Sequence, residues 1–347
     1  MKSASEILTI RPSDARSLFP GDAIAIRKAY RQLAAAWHPD HCCDKRAAQI
    51  FAHLTSLREA ALRIVQSARP TLRERTYHAA GAKTCRMRFY SEQPGPLGDV
   101  LVGRSHVVYE APEAFGDIVE AEAANIRSLA FAGPEMAAEM KRFLPAFDRV
   151  VARSGIKASV LDKPRDAVLL GDLLRYMGGR LEPVHVAWIV SGMLNLASYL
   201  HWRGLAHCAI ACETVFVDPQ SHAVMLIGGW GFATHYGARP AAIPERTAAA
   251  IPRLMLKGEL ASPDIDLGLI RATACDLLAT PGGGGLVLAP DIPSAMRDWL
   301  LLPPAQHAYE DYTRWQECLA RSFGLRKFVP FSTTAADIYR QKTNFGA

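Results

Sequence analysis

Two amphipathic stripes on either side of one proline constrain the opening of this 347-residue chain more than any other feature. Ile26, Ala29/Tyr30, Leu33 and Trp37 recur at three- and four-residue intervals, which sets them on one face of a helix. Arg27, Lys28 and Arg31 fall largely on the other face. Pro39 stops that helix, because the residue before a proline is pushed out of the α region. A second stripe, Ile50/Phe51, Leu54, Leu57, Ala61 and Ile64/Val65, predicts a helix of about five turns. Two such helices joined by a short loop pack antiparallel and bury both stripes against each other. Glu6 to Ile10 predicts a short preceding helix, and the small helical domain closes near residue 68. The tip of the hairpin carries His38-Pro39-Asp40.

The charge is concentrated in the same place. Residues 1–70 hold eleven Lys/Arg against six Asp/Glu, a balance of +5 out of the chain's +6, which leaves +1 for residues 71–347. A partner attracted by charge is therefore expected at the N-terminal segment, and nucleic acid is not the expected one. Half of the residues are apolar and 21% are charged, enough for a packed core. Seven cysteines form no C-x-x-C pair and no Cys/His spacing that suits zinc, so no metal is expected and the thiols read as reduced. The opening Met-Lys-Ser-Ala-Ser-Glu lacks a signal-peptide apolar core. The apolar stretch Val186 to Leu200, interrupted by Ser191, Asn195 and Ser198, is too short to span a bilayer. These features predict a soluble, cytoplasmic protein with no membrane partner.

Beyond the helical segment, residues 70–84 are charged, show no apolar period and read as a linker. Short strands are predicted at 86–90, 99–103 and 105–109, between Pro/Gly turns. Helical patterns follow at about 118–131 and 134–152, then a strand-like Ala167 to Leu170 and a long helix ending at His201. Thr214 to Val217 and Ala223 to Ile227 bracket the turn-rich Asp218-Pro-Gln-Ser-His222 and predict a hairpin. The rest is mostly helical. Strands first and helices later predict a two-lobed α+β domain.

The run from Ile26 through Trp37 into His38-Pro39-Asp40 resembles the J domain of DnaJ-type co-chaperones, with Tyr30 and Leu33 as core positions and Phe51 opening the following helix. The resemblance implies that His38, Pro39 and Asp40 contact the ATPase of a DnaK-type chaperone, with Arg27, Lys28 and Arg31 steering an acidic surface of that partner. The residue chemistry suits such a role. Pro39 fixes the direction of the loop, Asp40 accepts charge-assisted hydrogen bonds, and His38 offers a donor and an acceptor on one rigid ring. The chain lacks the Cys-rich zinc region and Gly/Phe stretch of general-purpose DnaJ proteins, which points to a specialised co-chaperone.

A second resemblance covers about residues 85–331. Tyr199-Leu-His-Trp-Arg-Gly-Leu-Ala-His207-Cys-Ala209, then Thr214-Val-Phe-Val-Asp, then Leu226-Ile-Gly-Gly229-Trp230-Gly231-Phe-Ala look like the catalytic core of a protein kinase. The spacing agrees with H-R-D-x-x-x-x-N, a hairpin and D-F-G, but the reactive residues differ. Phosphoryl transfer needs a carboxylate to orient the attacking hydroxyl and oxygen ligands for magnesium. Ala209 stands at the orienting aspartate, Thr214 at the metal-binding asparagine, and Gly229 at the D-F-G aspartate (Gly228 if the register shifts by one). No Lys or Arg occurs between Ser105 and Ile126, where the third-strand lysine belongs, so Glu120 or Glu122 at the helix-C glutamate has no lysine to pair with. Gly95-Pro-Leu-Gly98 reads as an ordinary turn rather than a phosphate loop. Ser262-Pro-Asp264-Ile-Asp266-Leu-Gly268 resembles the kinase segment whose aspartate anchors the catalytic loop, a role expected of Asp264. Ile243-Pro-Glu245-Arg246 is a loose match to A-P-E.

The fold expected is thus multidomain: an all-α J domain (1–69), a linker (70–84), a two-lobed α+β kinase-like domain (85–171 and 172–331) and a tail (332–347). The ending Phe323 to Phe331 is similar to those of bacterial and phage proteins that fuse these two modules. The expected function is a co-chaperone adaptor that stimulates a DnaK-type ATPase, with a catalytically inactive kinase-like domain, free of cofactor, binding a client or scaffold. An atypical phosphotransferase using Glu213 or Asp218, and a ligand- or peptide-binding module without chaperone activity, are the alternatives.

Overall fold

The computed structural model describes residues 4–20, 23–37, 42, 44–67, 72–79, 84–251, 260–324, 329–331 and 333–341. The chain divides into two compact units, Met1–Thr71 with Tyr339–Ala347, and Leu72–Ile338.

In the first unit, α1 (Ala4–Thr9), a 3-10 turn (Pro12–Ser17), α2 (Ala23–Ala36) and α3 (Ala47–Ser67) follow the three helices predicted from periodicity. Their stripes meet as intended. Ile26, Ile50, Leu54, Leu57 and Ala61 are buried together, with Tyr30, Leu33 and Trp37 packed against them. The long connection between α1 and α2 contributes Phe19, which is fully buried in the same core. Each large aliphatic or aromatic side chain so buried stabilises the unit by about 1.5–3 kcal/mol.

The second unit opens with a seven-stranded antiparallel sheet: β1 (Arg73–Ala79), β2 (Thr84–Phe89), β3 (Ser91–Pro94), β4 (Asp99–Val102), β5 (His106–Pro112), β6 (Ala146–Arg153) and β7 (Ile156–Asp162), in the order β2-β1-β6-β7-β5-β4-β3. Two expectations are corrected here. The segment read as a linker contains β1, paired with β2 over Arg73↔Phe89 to His78↔Thr84. Its charges hid a period of two, in which Arg75, Tyr77 and Ala79 turn inward while Glu74, Thr76 and His78 face out. The predicted helix over 134–152 splits into α5 (Pro134–Met140) and β6, after α4 (Gly116–Arg127). β6 pairs with β7 across a Ser154-Gly155 turn in which both residues have positive φ, 37° and 75°. A Ser-Gly pair is a hairpin signal that outweighs a short helical pattern.

β2 and β3 are separated only by Tyr90, whose N–H donates to the Val102 carbonyl at 2.8 Å. One continuous run therefore pairs with β1 in its first half and with β4 in its second, and the sheet curls. Tyr77, Met87, Phe89, Leu101, Val108, Val151, Ala158 and Val160 fill the inside of the curl. Polar groups close one end of it. Buried Glu110 accepts from Arg75 Nη1 at 2.6 Å, Arg153 Nε at 2.9 Å and Tyr77 Oη at 2.6 Å. A carboxylate buried this way is tolerated because three donors, two of them charged, meet it.

The rest of the chain carries β8 (Val168–Leu169), α6 (Leu170–Tyr176), α7 (Pro183–Arg203), β9 (Leu205–Ala206), β10 (Val215–Asp218), β11 (Ala223–Leu226), β12 (Thr234–His235), α8 (Glu245–Ala250), α9 (Pro263–Leu277), α10 (Ser294–Leu301), α11 (Ala308–Phe323) and α12 (Ala335–Gln341), the last of which runs past the end of the second unit at Ile338. α7 is apolar nearly all round and correspondingly buried. Gly204 ends it in the left-handed region at φ 64°, where a glycine carries no Cβ penalty. β10 and β11 form the predicted hairpin, and β8 pairs with β10. The whole is mixed helix and antiparallel sheet in two units, and among the described residues no helix is long and apolar enough to cross a membrane.

Candidate functional site

Two places carry the residues singled out from the sequence. On the first unit, Lys28 and Arg31 are exposed on α2, and Arg27 lies on the same helix. His38, Pro39 and Asp40 lie outside the described residues. The hairpin that carries them is braced from within. Tyr30 Oη and Thr55 Oγ1 are hydrogen-bonded at 3.0 Å, the Arg58 guanidinium lies 4.5 Å from the centre of the Tyr30 ring, and the His53 ring meets the Ile10 carbonyl at 3.0 Å. At the entry to α3, the Arg46 N–H donates to Asp44 Oδ1 at 2.8 Å. Hydrogen bonding from Arg46 holds the Asp44 carboxyl below the usual aspartate range.

On the second unit, Ala209, Thr214 and Gly229 come together. A Cβ built on Gly229 would stand 3.0 Å from both Ala209 Cβ and Thr214 Cγ2. None of the three brings a carboxylate or an amide to that point. Thr214 Oγ1 instead donates to the Ala209 carbonyl at 2.6 Å and accepts from the Ala211 N–H at 3.1 Å. The hydroxyl is consumed in holding the loop's own backbone.

The anchor of this loop is Asp266, not Asp264. Asp266 Oδ2 accepts from the His207 N–H at 2.7 Å and Oδ1 from the Cys208 N–H at 2.9 Å. Cys208 sits at φ 61°, a bend that turns both N–H groups toward one carboxylate. Both residues lie in the first turns of α9, but Asp266 is buried, whereas Asp264 is half-buried and accepts from Ser262 Oγ. Burial raises Asp266 to about 6 even though the two donated hydrogen bonds pull the other way. The His207 ring is buried edge-on against Trp230, with centroids 5.0 Å apart, and burial pushes it down to about 3.

Glu122 is the acid that α4 sends into this interior. Its Oε1 accepts from the N–H groups of Gly229 at 3.1 Å and Trp230 at 3.2 Å, and burial raises its carboxyl above the usual range. Glu120 lies at the surface and pairs with Lys157. Asn125, one turn further along α4, donates to the carbonyls of Trp230 at 2.7 Å and Ala233 at 3.1 Å. From the sheet side Tyr109 fills the remaining space. Its hydroxyl donates to the Glu213 carbonyl at 3.0 Å, and a Cβ on Gly228 would fall 2.0 Å from its Cζ. Between Tyr109, Glu122 and the Gly229–Phe232 turn a cavity of about 30 Å³ remains, room for water and not for a nucleotide.

A wider cleft of about 470 Å³ opens beside it, lined among others by Gln93, Leu174, Arg175, Gly179 and Glu213. Burial raises the Glu213 carboxyl. Asp218 is taken up in the β10–β11 turn, accepting from the Gln220 N–H at 3.0 Å and from Ser221 Oγ. Gly95 to Gly98 closes the β3–β4 hairpin as an ordinary turn, with the Gly95 N–H donating to the Gly98 carbonyl at 2.6 Å. Among the described residues no three His, Cys, Asp or Glu side chains gather as a metal site. Tyr109, Asn125 and Asp266 were not assigned these roles from the sequence, because nothing local to each marks the backbone group it meets. No family model and no characterised protein matches the chain.

Proposed function

We propose that the protein is a cytoplasmic J-domain co-chaperone and adaptor. Its first unit recruits a DnaK-type chaperone and stimulates that partner's ATPase, and its second unit is an inactive kinase-like module that binds a client or scaffold. One observation carries the reading: an α2/α3 pair with a shared apolar core and exposed Lys28 and Arg31, whose connecting sequence holds His38-Pro39-Asp40. Inactivity of the second unit is supported by the convergence of Ala209, Thr214 and Gly229 without an acid or amide among them. Preferential docking to the ATP-bound chaperone is what couples binding to hydrolysis. Steady-state ATP hydrolysis by a DnaK-type chaperone tests this. Wild type accelerates it, and neither His38→Gln nor Asp40→Asn does; equal stimulation by all three would sink the assignment.

One observation favours a phosphotransferase, namely that Glu213 lines the open cleft. Thermal unfolding with and without Mg-ATP separates the readings. The co-chaperone reading expects no shift in midpoint, and a saturable rise favours the enzyme.

A further inference from the structure

The balance of +1 over residues 71–347 conceals a pair of exposed cations within residues 72–90. Arg73 pairs with Glu92, and Arg75 turns inward to Glu92 and Glu110, but Arg86 and Arg88 have between them one carboxylate, Glu74. β2, in the middle of this segment, is an outer strand of the sheet and pairs with β1 only. Along a strand, both backbone groups of one residue point to the same side, and alternate residues share it. The Tyr90 N–H points away from β1, to Val102, so the backbone groups of Arg88, Arg86 and Thr84 point away from β1 as well. The Arg88 carbonyl meets the His106 ring. Among the described residues no strand covers Arg86 and Thr84 on that side.

The side chains of this edge are equally open. Those of Arg86 and Arg88 are 73% and 70% exposed, two residues apart on one face. Glu74 reaches them at 3.8 Å and 3.2 Å, but one carboxylate between two guanidiniums leaves a net positive charge, and exposed pairs of this kind hold weakly. We propose that the free edge of β2 accepts an extended acidic segment of a partner protein by strand addition, with carboxylates at alternate positions of the added strand meeting Arg86 and Arg88. A second copy of this chain fits poorly, since edge-to-edge pairing would set arginine against arginine. Single-stranded nucleic acid fits less well, because Tyr77 and Phe89 point into the core and, among the described residues of β1 and β2, only the His78 imidazole is left on the outer face for a base to stack on.

This inference rests on the second unit being a binding module and gives its partner a chemistry. The assay contains no chaperone, so it can fail while ATPase stimulation stands, and the reverse. Fluorescence anisotropy of the full chain would be measured with a labelled peptide of alternating Thr and Glu, its Thr/Gln counterpart, and a block peptide of the same Thr/Glu composition. The alternating acidic peptide should bind more tightly than both controls. Its affinity should fall on the order of tenfold in Arg86→Glu/Arg88→Glu, whose thermal midpoint serves as the folding control. N-methylation of alternate amides on one register of the peptide should abolish binding, while methylation of the other register is tolerated. Several outcomes would overturn the proposal: no binding, equal binding of the Gln or block peptide, indifference to either methylation, or tighter binding of oligothymidine. The first of these would mean that the arginines merely guard the edge against pairing.

Discussion

The α2–α3 hairpin and the segment from β9 to β12 dispose their polar groups in opposite ways. In the hairpin the interior is apolar, with Ile26, Ile50, Leu54 and Leu57 fully buried, and the cations Lys28 and Arg31 stand in solvent. In the second segment His207 and Thr214 are buried, together with Glu122 and Asp266 that reach them from α4 and α9, and each is bonded or packed against the loop itself. The contrast separates two kinds of sensitivity. A change on the exposed face of α2 alters what the protein can touch while leaving the fold intact, whereas a change in the buried loop alters the fold first. Loss of function is therefore informative about binding only in the first region.

The largest break in that comparison should come from Asp266→Ala. It leaves the N–H groups of His207 and Cys208 buried without an acceptor, at about 1–3 kcal/mol for each. A total on the order of 3–5 kcal/mol is expected in denaturant unfolding. Arg31→Glu, on the exposed face of α2, should stay within about 0.5 kcal/mol. Equal losses in the two variants would erase the distinction between the regions.

His207 sharpens the comparison through pH. Its ordinary value of 6.5 applies to the unfolded chain, and burial lowers it to about 3 in the folded one. Between those limits the unfolded state binds a proton that the folded state does not, so stability rises with pH across the window and is lost as pH falls. From pH 6.5 to 5 the loss is about 2 kcal/mol. Asp266 acts in the opposite sense. Raised from 3.8 to about 6, it makes the folded state the better proton binder between those values, so stability there grows as pH falls. Unfolding free energies of wild type and His207→Gln across pH 5–7 isolate the first effect, since Asp266 contributes to both. Parallel curves would show that His207 is not buried as a neutral ring.

The two regions also differ in how much of them could be read from sequence. The hairpin was legible because a helix writes its buried face into the chain every three or four residues, and Ile26, Leu33, Leu54 and Leu57 obey that period. β1 and β6 were not. Arg75 and Arg153 occupy inward positions that a hydrophobic pattern leaves blank, and they are admissible because Glu110 arrives from β5 to meet both, with Glu92 and Asp99 also pairing with Arg75. At the buried loop, Ala209, Thr214 and Gly229 were singled out by the resemblance to a kinase core, and the structure brings the three together. The anchor was misassigned by two residues. Asp264 and Asp266 look alike in sequence, and only the tertiary packing of α9 decides which of them meets the loop's backbone.

The smallest effect is expected from Tyr109→Phe. The hydroxyl donates one hydrogen bond, to the Glu213 carbonyl at 3.0 Å, and its removal should cost about 1 kcal/mol in thermal or denaturant unfolding. The ring does more than the hydroxyl. It occupies the space in which a Cβ on Gly228 would lie, and phenylalanine keeps that volume. A modest loss would therefore say that shape closes the interior beside Gly229, in the manner of an apolar core. A loss as large as that of Asp266→Ala would say instead that the hydroxyl is a true member of the buried polar network. In that case the interior of the second unit would tolerate even less change, and its contrast with the exposed cations of α2 would widen.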